Sequence, residues 1–77
     1  MVTIHRIGNL SISVYADHAP PHFHVYAPGT ESRIDLATLA EIEGDVPRKA
    51  LAKAIAWAME NRNLIETEWN RLNAPRR

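Results

Sequence analysis

The chain has 77 residues, no cysteine, and nine basic against nine acidic side chains, so its formal charge is zero. That length holds one domain with a small core; the missing thiols exclude disulfides, cysteine metal sites and cysteine nucleophiles; and neutrality excludes a global field drawing the chain onto nucleic acid or an anionic membrane. No apolar run approaches the roughly 20 residues of a membrane span, and the opening Met1-Val2-Thr3-Ile4-His5-Arg6 lacks the basic start and apolar stretch of a secretory signal, so no membrane association and a cytoplasmic location are expected.

Residues 2–7 and 10–15 read as two strands joined at Gly8-Asn9, a pair that tolerates the positive φ of a tight hairpin turn. In the second, Leu10, Ile12 and Val14 share one face and Ser11, Ser13 and Tyr15 the other. A third strand is expected over residues 22–27, with Phe23, Val25 and Ala27 facing one way and His22, His24 and Tyr26 the other. After a turn at Pro28-Gly29-Thr30, residues 32–36 give a fourth strand with Ile34 and Leu36 inward and Arg33 and Asp35 outward.

Residues 37–46 show no clean period and are expected to be a folded connection holding one turn of helix at most. Asp45 suits a helix N-cap, and Pro47 suits the first helical turn, where its missing N–H costs nothing. Leu51, Ala54, Ile55, Ala58 and Met59 then form an apolar stripe at helical spacing, continued by Ile65, Trp69 and Leu72. Asn61-Arg62-Asn63 favours a break into two helices, although one long helix satisfies the same stripe. Trp69 is expected in the core and Trp57, off the stripe, at a helix edge or an interface. Arg48, Lys49 and Lys53 read as a solvated face, and residues 74–77 as a tail. The expected fold is therefore a single α+β domain over 1–77: a four-stranded antiparallel sheet over 1–36, the connection, and one or two helices over 47–73 packed on one sheet face.

Three of the four histidines fall at His18, His22 and His24. Residues two apart on a strand project from the same face, so His22 and His24 are expected to converge on one point in solvent, while Pro20-Pro21 stiffens the entry and holds His18 in a definite relation to them. Neutral imidazoles at this spacing can supply two or three ligands to zinc, nickel or copper, with Asp17, Glu31 or Asp35 as an oxygen ligand. The same residues can also work without metal: one imidazole removes the proton of a ribose 2′-hydroxyl, the other protonates the leaving oxygen, and Arg33 or Arg6 stabilises the phosphorus centre. The plainest alternative is that these histidines bond backbone groups and fix a loop. His5 depends on register. A strict two-residue turn pairs it with Ile12 and turns it to the apolar face, the favoured reading, whereas a bulge that shifts its pairing by one would place it with Ser11, Ser13 and Tyr15 on the face carrying His22 and His24.

These residues also carry a resemblance. Thr3-Ile4-His5-Arg6-Ile7-Gly8, Asp17-His18 with Pro20-Pro21-His22-Phe23-His24-Val25, and Trp69-Asn70-Arg71-Leu72 together resemble the bacterial domain-of-unknown-function family 4160 over nearly the whole chain. The resemblance implies a small protein encoded beside a second small protein, an arrangement similar to a toxin–antitoxin pair. It lends no established activity, so whether the chain is an enzyme stays open. The leading expectation is a toxin–antitoxin-like module that binds a cognate small protein and acts on RNA through His22 and His24, assisted by His18 and Arg33. A non-enzymatic metal-binding or regulatory adaptor using His18, His22, His24 and Asp17 is the alternative, and a structural interaction domain, homodimeric through a strand edge, is the third.

Overall fold

A computed structural model of the chain describes residues 2–74. The order of elements is β1 (Val2–Ile7), β2 (Leu10–Val14), β3 (His22–Ala27), β4 (Thr30–Asp35), β5 (Glu41–Gly44), α1 (Arg48–Glu60) and α2 (Arg62–Asn73). The five strands form one antiparallel meander in the order β1-β2-β3-β4-β5. The expected α+β class and the two C-terminal helices are present; the sheet has five strands where four were expected. The tail over 74–77 lies, beyond Ala74, outside the described residues.

The fifth strand corrects the reading of residues 37–46 as a connection. Asp35 closes a turn there: its Oδ1 accepts from the Ala37 and Thr38 amides at 2.8 and 3.0 Å, its carbonyl accepts from Leu39, and Leu39 adopts a φ of 61°. The chain reverses and Glu41–Gly44 pairs back along β4, Arg33 opposite Glu43 and Ser32 opposite Gly44. Buried Ser32 ties the new strand down by donating to Glu41 at 2.5 Å and accepting from the Val46 amide at 3.0 Å. Asp45 is not a helix cap. Its carboxylate accepts from the Glu31 amide, bracing the end of β5 against β4, and the residue before α1 is Pro47.

Near the Gly8-Asn9 turn the β1–β2 register is the strict one: Ile7 faces Leu10, Arg6 faces Ser11 and His5 faces Ile12, with an irregularity only between Thr3 and His5. His5 therefore sits on the helix-covered face, where its ring stacks on Trp57 of α1 at 4.4 Å and 7°. Through that contact Trp57 packs, partly buried, against the margin of the core.

One face of the sheet supplies Leu10, Ile12, Val14, Phe23, Val25 and Ile34, all buried, and the helices cover it with Ala54, Ala58, Ile65 and Trp69. Alanines at the centre of α1 let its backbone approach the sheet closely. Met59, expected in the stripe, is 66 % exposed, because α1 ends at Glu60 and the chain turns away at Asn61. The opposite face carries the polar alternates, and one row crosses all five strands: Thr3, Ser13, His24, Arg33 and Glu43. No helix among the described residues is long and apolar enough to cross a membrane.

Candidate metal centre

The polar row passes through the histidine patch. Strand β3 alternates as its sequence dictates, so His22 and His24 stand on the face opposite Phe23 and Val25. They do not stand in solvent, as the alternation alone suggested. The His22 side chain is 5 % exposed and that of His24 13 %. Two neighbours cause this. Trp69 of α2 reaches the margin of the sheet and packs on the His22 ring at 5.1 Å, and Tyr15 meets the His24 ring edge-on at 4.5 Å. The two imidazoles lie 5.2 Å apart, centroid to centroid.

Each ring is oriented through Nδ1. His22 Nδ1 donates to the Pro20 carbonyl at 2.8 Å, and His24 Nδ1 donates to the Glu31 carboxylate at 2.8 Å. This leaves the two Nε2 atoms. That of His22 lies 3.2 Å from Asp17 Oδ2. That of His24 is buried and has no hydrogen-bond partner among the described residues. A buried imidazole nitrogen without a partner is costly, and in the neutral tautomer that donates from Nδ1 to Glu31 this atom carries a lone pair.

Asp17, at the start of the Pro-Pro loop, completes the group: one donor atom from each of Asp17, His22 and His24 lies within 4.8 Å of the others. The loop itself is tied to α2, since Asn73 accepts from the Asp17 amide at 2.9 Å and donates to the Tyr15 carbonyl at 3.2 Å. The loop includes a cis Ala19–Pro20 peptide. The His18 amide, donating to Oδ1 at 2.7 Å, is the main reason the Asp17 carboxyl is held below the ordinary carboxylate range; slight desolvation opposes it and His22 adds to it.

The other residues singled out in the sequence fall around this group. His18 is exposed and lines the neighbouring cavity, but it is not among the clustered donors. Arg33 is the cross-strand partner of His24; it pairs with Glu43 at 2.6 Å, and its Nε is buried without a hydrogen-bond partner among the described residues. Glu31 serves as the support of His24, and Asp35 is spent on the turn after β4. The sequence placed Tyr15 and Tyr26 on the histidine face but did not point to Trp69 as a neighbour of the site. Tyr26 bonds the Tyr15 hydroxyl, and burial first, then that bond, pushes its phenol well above the usual tyrosine range. The period-two alternation that put Ser13, Tyr15 and Tyr26 on the histidine face was the available signal.

Two oriented imidazoles on the polar sheet face and a carboxylate from the loop before β3 define a small α+β protein with a candidate N,N,O donor set. The chain belongs to the DUF4160 family, a domain of unknown function, whose family model matches residues 10–70 and so spans all three donors. Among curated proteins and among solved structures, none matches the chain.

Proposed function

We propose that this protein binds a divalent first-row transition metal ion through Asp17, His22 and His24. The observation that carries the reading is the buried, unpartnered Nε2 of His24, on a residue with a ring nitrogen within 4.8 Å of donor atoms of Asp17 and His22. Around a tetrahedral ion with bonds of about 2.0–2.2 Å, ligand atoms stand roughly 3.4 Å apart. The His22–Asp17 separation of 3.2 Å is of that size, and with all three donor atoms within 4.8 Å of one another, side-chain rotations that close the longest gap by roughly 1.4 Å bring in His24. Both histidines carry the outer support that metal-bound imidazoles ordinarily have, an Nδ1–H held by a carbonyl or a carboxylate. An ion would also settle His22. Both of its neighbours are acceptors, so without an ion the ring satisfies both only when doubly protonated; with one, Nε2 gives its lone pair to the metal.

The metal-free use of the same residues on RNA competes for the same atoms. Each Nδ1 is engaged, so a substrate would have only the two Nε2 atoms to approach, and the rings are almost covered. That favours an ion, which needs far less access than a ribose.

The test is elemental analysis of protein purified without a histidine tag and dialysed against zinc, nickel, copper or iron(II). One equivalent bound in the wild type, lost in His24→Ala and weakened about 10- to 100-fold in Glu31→Gln, is the expected result. Substoichiometric metal in folded wild-type protein overturns the reading.

A second reading, a toxin–antitoxin-like module with a cognate small-protein partner, is favoured by the β5 edge. All four residues of Glu41–Gly44 are exposed, and an unpaired strand edge is a template for another chain. Growth inhibition on expression, relieved by co-expressing the neighbouring gene and lost in His22→Ala, is its expected outcome; unchanged growth in every arm rejects it.

A further inference from the structure

We propose that the open side of the Asp17–His22–His24 centre takes an organic oxyanion with a single negative charge, a carboxylate or a phosphodiester, held between the metal ion and the Nε–H of Arg33. The inference rests on the metal reading above and extends it to a ligand class.

The first observation is a pair of orphans. His24 Nε2 and Arg33 Nε are both buried and unpartnered among the described residues, and they belong to residues directly opposite each other on β3 and β4. One carries a lone pair and the other an N–H, so they do not call for the same partner. A metal ion satisfies the first. An oxygen anion on that ion satisfies the second, accepting from Arg33 while coordinating the metal.

The second observation is room on the correct side. A cavity of about 420 Å³ opens beside Asp17 and His22 and is lined also by Arg33, Ala19, Pro20 and Ile42. Three protein ligands leave an ion at least one further position, and this hollow is lined by two of the three donor residues together with Arg33. Its wall is not wholly polar. Ala19, Pro20 and Ile42, the last 43 % exposed, present carbon to whatever enters, which suits an anion with an organic substituent better than an inorganic one.

The third is charge. A divalent ion and the Asp17 carboxylate leave one positive charge, the imidazoles being neutral as ligands, and the Glu31 carboxylate, 2.8 Å from His24 Nδ1, offsets it from outside the donor set. Arg33 is already balanced by Glu43 at 2.6 Å, so it offers a directed N–H rather than a spare charge. A singly charged anion therefore meets less repulsion than a doubly charged one from Glu31 and from Asp35, which lines the same cavity.

Cobalt(II) in place of the native ion makes binding visible, because its d–d absorption changes when an anion enters the coordination sphere. Untagged protein carrying one equivalent of cobalt is titrated with dimethyl phosphate, with acetate, and with sulfate as the doubly charged control, all at equal ionic strength. At least one of the two single-charge anions is expected to shift the cobalt bands saturably, and which one does so identifies the source of the oxyanion. Arg33→Gln should raise its half-saturation concentration about tenfold or more, as loss of a hydrogen bond to a charged group does, while cobalt affinity is kept. Glu43→Gln, at a side chain 69 % exposed, leaves Arg33 in place and removes its competitor, so it should lower that concentration. Unchanged bands with every anion while cobalt stays bound, a sulfate response equal to the others, or indifference to Arg33→Gln in folded protein overturns the oxyanion proposal and leaves the metal reading standing. Failure to bind cobalt or any of the four metals above overturns the metal reading itself.

Discussion

His24 and Tyr26 stand two apart on β3, and their neighbours come from across the sheet: Ser13 and Arg33 flank the first, Ser11 and Glu31 the second. Strand alternation made this shared face legible in the sequence, and it brought His22 and His24 onto one side with Arg33 and Asp35. What alternation could not supply was burial. Trp69 and Tyr15 cover the rings, and both arrive from parts of the chain whose distance from the patch is set only by packing. Tyr26 carries a consequence that can be measured. Burial and the bond with Tyr15 raise its phenol above its unfolded value of about 10, so its contribution to stability is complete below that pH and is lost as pH climbs through the folded value. The urea midpoint of the wild type should therefore fall between pH 8 and pH 11 by more than that of Tyr26→Phe. Equal falls in the two proteins would show that the phenol titrates no differently in the folded chain.

At the scale of elements, the hairpin, the third strand and the helical break were readable because each has a strong local cause: Gly8-Asn9 for the turn, alternating β-branched and aromatic residues for the strands, Asn61 for the break. Strand β5 was not. Glu41-Ile42-Glu43-Gly44 has low strand propensity and only one apolar side chain, which stays exposed, so no pattern marks it. It forms because Asp35 turns the chain, Ser32 anchors Glu41 and Val46, and Gly44 allows a close approach. At Gly44 φ is 134°, and a Cβ would lie 2.3 Å from the Ser32 Cα and 2.4 Å from the Glu31 carbonyl oxygen. Neither atom can move without distorting β4. Gly44→Ala should cost about 2 kcal/mol or more in urea denaturation, from backbone strain and clash together. A change below about 0.5 kcal/mol would mean that β5 peels away freely and is not part of the cooperative fold.

For the molecule as a whole, the core is small. A chain of this size buries only about 60 % of its unfolded surface, and without disulfides its margin is narrow. An ion bound only by the folded chain widens that margin by RT ln(1 + [L]/Kd), about 2.7 kcal/mol at a metal concentration one hundred times Kd. Saturating metal should raise the wild-type urea midpoint accordingly and leave that of His24→Ala unchanged. A wild-type midpoint indifferent to metal would show that the donor set is as well formed in the unfolded chain, or takes no ion.

The dependence of the donor loop on α2 bears on how the chain is made. Asp17, His22 and His24 leave the ribosome some 45 residues or more ahead of Trp69 and Asn73, which cover His22 and tie down Asp17. A nascent chain therefore displays its imidazoles with nothing to orient them from that side. If the proposed ion is bound, its firm capture has to await the emergence of α2.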